Sequence, residues 1–188
     1  CIYQGTLNSL LFELNDNATW RQLFGLAEPE SRMRDLEFIL RFFALSSQSL
    51  RNERFDRISL KRFLNVYMDN NKNPPDAELQ ELRKRFVTAV EFLGRSFGSA
   101  AFHNISASRP GRLIGKFNPT IFDSIMIATD YVLSQDAVVP AENLEPRRLR
   151  LLSDDAYRSA ISRETMRVES IRKRIALAAQ HLFDAVYE

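Results

Sequence analysis

The side chains that could do chemistry are few and scattered. His103 and His181 are distant in sequence, and His181 follows Ala178 and Ala179 near the apolar side of a helical pattern, where a packed, hydrogen-bonded imidazole is the ordinary role. The pair His103-Asn104 suggests a His-Asn-His nuclease site, but that site needs further histidines and metal ligands that the chain does not contain. A single cysteine, Cys1, excludes an intramolecular disulfide and excludes zinc sites of four cysteines or of two cysteines and two histidines. Carboxylates pair at Asp154-Asp155, where helix capping explains them, and at Asp123 with Asp130, which share a helical face that reads as solvated. Neither a Walker pattern, nor a Gly-x-Gly-x-x-Gly run, nor a Gly-x-Ser-x-Gly elbow occurs. The nearest phosphate-loop candidate, running from Arg109 to Gly115, has too few glycines, wrongly spaced. No catalytic residue, metal ligand or cofactor site is assigned.

Three basic groupings remain. Arg109, Arg112 and Lys116 lie in an acid-free stretch flanked by Phe102 and Phe117; Arg147, Arg148 and Arg150 follow Pro146; Arg163, Arg167 and Arg174 form a stripe on the last helix. Such cations hold phosphates, and flanking aromatics can stack on unpaired bases. Glu142, Glu145, Glu164 and Glu169 offset the second and third groups, which makes them ordinary solvated faces. Arg109, Arg112 and Lys116 are therefore the candidate nucleic-acid contacts. The net charge of +2 names no partner. The excess of 21 Arg over 5 Lys suits bidentate phosphate or carboxylate contacts, and it is equally what a GC-rich coding sequence produces.

Helices must position these groups. Leu7, Leu10, Leu11 and Leu14 keep i, i+3, i+4, i+7 spacing; Asn17 caps a short helix through Trp20 that Gly25 closes; Ser59 opens one through Tyr67; Pro74-Pro75 opens one reaching about Phe97. Asp35 to Leu45 is the most continuously apolar segment of helical length and reads as the central helix, its one wet strip carrying the i,i+4 pair Glu37 and Arg41. Ser46 to Asp56 reads as a loop, and Gly98 to Lys116 as the largest irregular element. Asn118-Pro119 starts a helix that Val138-Val139-Pro140 ends. Pro146 starts a short one, Ser153 or Asp154 caps another, and a long helix runs from about Arg163. The sum is an all-α, single domain over residues 1–188, of eight or nine helices with no significant sheet.

No run approaches 18 consecutive apolar residues, and no charged segment precedes an apolar one at the start, so neither a membrane span nor a signal peptide is expected. With one cysteine, a reducing cytoplasmic compartment is the natural expectation. A start at Cys-Ile-Tyr rather than Met suggests a fragment of a longer protein.

Ile2-Tyr3-Gln4-Gly5 followed by Asn8, Leu10-Leu11 and Glu13-Leu14-Asn15, then Arg32 to Glu37 running into Leu40-Arg41-Phe42-Phe43, then Phe63-Leu64-Asn65, resembles the GmrSD-like family of restriction and phage-defence proteins. Members look like a ParB/sulfiredoxin-like nucleotidase or nuclease domain, marked by Asp-Gly-Gln-Gln-Arg, followed by a helical region. The resemblance is to that helical region, strongest over residues 1–67, with Phe117 to Asp123 and Asp154 to Ile175 fitting more loosely. No Asp-Gly-Gln-Gln-Arg occurs here, so no catalytic residue carries over. The resemblance implies a helical part that supports an upstream catalytic domain of a nucleotide-dependent nuclease and contributes a surface for DNA, a partner protein or a second copy. The reading from another class is a protein–protein interaction module with no nucleic-acid role, for which the near-neutral charge argues.

Overall fold

Asn17, Asn118 and Asp154 each stand immediately before a helix in the computed structural model of the chain. Their side chains accept from backbone N–H groups that a first turn leaves without helical partners: Trp20 N at 2.9 Å, Thr120 N at 3.0 Å and Tyr157 N at 2.8 Å. The structure describes residues 4–106, 108–109, 111–135 and 144–187, and of Arg51 only the backbone. Ten helices occur among them: α1 (Thr6–Asn15), α2 (Ala18–Phe24), α3 (Arg34–Ser46), α4 (Gln48–Arg51), α5 (Leu60–Asn70), α6 (Asp76–Phe97), α7 (Pro119–Ser134), α8 (Leu144–Ser153), α9 (Asp155–Ser162) and α10 (Val168–Phe183). The class is all-α, as the periodicity predicts.

The differences are local. One turn of helix, α4, sits inside the stretch read as a loop. The segment read as irregular forms a 3-10 turn (Gly98–Ala100) and an antiparallel hairpin, β1 (His103–Ile105) with β2 (Leu113–Phe117). It is the only sheet among the described residues. The last helix starts at Val168 rather than Arg163, because Glu164 at φ 43 breaks the path, and it ends where Asp184 turns left-handed, leaving Val186 exposed. Val138-Val139-Pro140 lies outside the described residues; α7 ends at Ser134.

One continuous core joins these elements, and its hub is α7. Helices α3, α6, α9 and α10 pack around α7, which buries twelve of its sixteen residues. Helix α3 is enclosed on several sides, as its girth predicts, but it flanks the hub. Phe38, Phe102, Phe117 and Phe122 mesh with Trp20 and Phe24 in a single aromatic cluster, with ring centroids 4.8 Å apart for Phe38 and Phe117 and 5.0 Å apart for Phe102 and Phe122.

Among the described residues, charged groups lie inside the core around Asp123 and around Asp35, and the first set corrects the reading of solvated faces. Asp123 is fully buried and accepts from Arg41 Nε at 3.0 Å, Arg41 Nη2 at 2.5 Å and Arg174 Nη2 at 3.0 Å. Arg41 is therefore no wet partner of Glu37, whose carboxylate stands 4.0 Å away. Arg174 is also fully buried, donates to Thr165 O at 2.7 Å, and does not belong to a surface stripe. Beside this site the Tyr157 and Ser124 hydroxyls hydrogen-bond at 2.7 Å, and burial pushes the Tyr157 phenol up. Asp130, seven residues on, is held by Arg85 at 2.6 Å and is buried rather than solvated.

The second site is Asp35. It accepts from Asn15 Nδ2 at 3.0 Å, Arg21 Nη1 at 2.8 Å and Glu30 N at 2.9 Å, while Asn15 Oδ1 takes the Trp20 indole N–H at 3.0 Å. Burial pushes this carboxyl up, and the hydrogen bonds outweigh it, leaving Asp35 below its ordinary value. These polar groups fix how α1, α2 and α3 meet.

Candidate nucleic-acid interface

The hairpin is built from its turn outward. Gly111 adopts φ 77, a conformation that costs a glycine little, and Arg112 N donates to Arg109 O at 3.1 Å. Ser106 N then donates to Arg112 O at 2.7 Å, and the ladder continues through Ile105 opposite Leu113 and His103 opposite Phe117, with an irregularity between the two pairs. At the root, Asn118 N donates to Phe102 O at 2.9 Å.

Arg109, Arg112 and Lys116 are all exposed on this hairpin, and none has an ion-pair partner among the described residues. The structure thus brings the three onto one small ribbon. The aromatics beside them behave differently. Phe102 is fully buried and Phe117 is packed against Phe24, Phe38 and Phe122, so neither offers a face to a base. The pattern of cations flanked by aromatics is a pattern of hairpin and anchor, and base stacking by these rings is set aside.

The other basic groupings are occupied. Arg147 donates to Asp184 at 2.7 Å, and Arg148 is buried over the Phe97 ring, bonded to Glu145 at 2.7 Å and to Ala100 O at 2.5 Å. Arg167 pairs with Asp56 at 3.2 Å and Glu164 at 3.1 Å. Glu142 lies outside the described residues. Arg150 and Arg163 are the exceptions: both are exposed with no ion-pair partner among the described residues, and Arg163 caps the C-terminus of α9.

A groove of about 760 Å³ runs between the hairpin and α9. Asn104, Ser106 and Ile114 form one wall, and Asp155, Arg158, Ser159 and Ser162 with Arg163 form the other. Sequence reasoning missed Arg158 because its α9 neighbours carry no cluster signal, and it placed Arg163 on the wrong helix. The histidines lie apart: His103 is half-buried in β1, where burial and then the nearby Arg148 charge push its pKa down, and His181 Nε2 stands 3.5 Å from Asp154 Oδ2. Among the described residues no three His, Cys, Asp or Glu side chains converge as metal ligands would. No helix among them is long and apolar enough to cross a membrane.

A second groove, of about 540 Å³, is apolar and lies between α1, α3 and α5, with Leu11, Leu36, Leu40, Leu60 and Met33 among its lining and Glu37 and Lys61 at its edges. Set against known proteins, the chain matches no family model, no curated protein and no solved structure.

Proposed function

We propose that this chain is a non-catalytic helical module that lays its hairpin on the phosphates of DNA, and that it does so as the helical region of a GmrSD-like restriction or phage-defence protein, supporting a catalytic domain carried elsewhere in the same protein. The observation that carries the DNA contact is the exposure of Arg109, Arg112 and Lys116 on one ribbon with no carboxylate among the described residues to neutralise them. Lone solvated cations are ordinary; three on one hairpin, anchored by Phe117 in the core, form a positioned set. Phosphate contacts of this kind set register and orientation and carry no sequence information. The family part of the reading rests on the residue resemblance from Ile2 to Asn65.

Replacing Arg109, Arg112 and Lys116 together with Ala tests the contact. Affinity for DNA should fall by a similar factor for every sequence, and the slope of log K against log salt should flatten by roughly 2.7, from about 0.9 per duplex phosphate contact. An unchanged slope would remove the DNA contact.

The apolar groove between α1, α3 and α5 favours a second reading, a protein–protein interaction module. Its half-buried Leu40 and Leu60 and exposed Met33 form an apolar surface with charged edges, the kind that marks a docking site. That reading gains if the triple variant binds DNA with an unchanged slope while Leu40→Glu abolishes capture of the protein's own catalytic domain.

A further inference from the structure

We propose that the groove between the hairpin and α9 seats the sugar–phosphate backbone of one nucleic-acid strand, with Arg158 and Arg163 continuing the row of phosphate contacts begun by Arg109, Arg112 and Lys116. The inference rests on the nucleic-acid reading above and extends it to a second wall drawn from a distant part of the chain.

Helix α9 divides its faces cleanly. Tyr157, Ala160 and Ile161 are buried, whereas Asp155, Arg158, Ser159 and Ser162, at i, i+3, i+4 and i+7, are exposed and line the groove. Hydroxyls and guanidinium groups on one wall face the amide of Asn104 and the hydroxyl of Ser106 on the other. Neutral donors mixed with cations are what phosphate oxygens and sugars accept. Among the described residues no aromatic ring lines the groove, so they offer no stacking platform there, and the backbone rather than the base is the part of a strand that fits it.

The charge is complementary. Two guanidinium groups face one carboxylate, Asp155, which is 98% exposed and 3.6 Å from Arg158; a contact that exposed is weak and exchanges readily for a phosphate. Continuity with the hairpin is direct. Ser106, which lines the groove, is bonded backbone to backbone with Arg112, and Ile114, also in the lining, lies two residues from both Arg112 and Lys116.

The test measures binding of the chain to a labelled mixed-sequence oligonucleotide, as duplex and as single strand, across a low-salt series. The Arg158→Ala/Arg163→Ala variant should flatten the salt slope by about 1.8 on duplex or about 1.4 on single strand, from about 0.9 and 0.7 per contact. Arg158→Lys/Arg163→Lys should keep the slope, which separates lost charge from lost folding. Asp155→Asn should tighten binding, a change of sign that a merely structural role would not produce. If the alanine pair leaves the slope unchanged while the hairpin triple variant flattens it, the groove is overturned and the hairpin reading stands. If neither moves the slope, both fall. Weaker binding by Asp155→Asn would also overturn the groove.

Discussion

Replacing Asp123 with Asn changes one atom and one charge at a place where water cannot compensate. The carboxylate accepts three hydrogen bonds, two from Arg41 and one from Arg174. An amide keeps one acceptor and turns a donor toward the remaining N–H groups, so at least one guanidinium contact becomes a repulsive pairing of donors. Two positive charges then remain, Arg174 fully buried and Arg41 nearly so. Glu37 offsets little, being 4.0 Å from Arg41 with its side chain half exposed. Breaking a buried ion pair from one side costs about 3–5 kcal/mol. With a urea slope of about 2 kcal/mol per molar, the midpoint should fall by roughly 1.5–2.5 M, followed by far-ultraviolet circular dichroism. The matched variant Asp123→Leu/Arg41→Met/Arg174→Met should recover most of that loss, because it removes the charges together. A fall of less than about 0.5 M for Asp123→Asn would show that the site is hydrated in solution and would refute the reasoning.

Asp35 supplies a pH dependence with a definite sign. Burial opposes its charge, but the hydrogen bonds from Glu30 N, Asn15 and Arg21 win and depress its folded pKa. Its contribution is therefore present above the unfolded value of about 3.9 and lost as pH falls through the lower folded value. Asp35→Asn should lose less stability than the parent chain between about pH 5 and pH 2, measured as urea midpoints at each pH; equal losses would exclude Asp35 as a determinant of the acid limb. At Gly94, a Cβ would stand 2.5 Å from Thr19 Cγ2, where α2 crosses α6. Gly94→Ala should destabilise by about 1–2 kcal/mol although alanine favours helix, and adding Thr19→Ala should restore the loss; a stabilised single variant would show that the two helices stand further apart.

Most of the fold could be read from local signals, since a cap or an apolar stripe acts over a few residues. Asn17, Asn118 and Asp154 cap as their types predict, and Leu7 to Leu14 and Leu79 to Phe97 trace the helices that their spacing implies. What misled was polarity on a helix. Asp123, Asp130, Arg41 and Arg174 look solvated because charge alone signals water, yet each finds its partner on another helix, and Asp123 and Arg41 lie far apart in sequence. A single chain contains no pattern that announces such a pairing. The hairpin was missed for a related reason: β1 has three residues, too few to show alternation, and the pairing skips residues between Ile105 and His103. Its cations were visible from the absence of acids. The groove beside them was not, because α9 enters it from some forty residues downstream.

Trp20 is the sole tryptophan, and it sits fully buried where α2, α6, α7 and the hairpin root converge, with its ring centroid 5.7 Å from Phe86, 5.6 Å from Phe122 and 6.3 Å from Phe117. Its indole N–H is bonded to Asn15, whose amide in turn holds Asp35. The chain thereby carries its own optical probe at the junction between the helical body and the ribbon. Emission from that one indole reports the polarity around the root of β2. A ligand that engages only the exposed tip leaves the spectrum in place, whereas one that levers Phe117 out of its socket shifts it toward the red. Without any label, the two ways of using the hairpin are distinguishable in a cuvette.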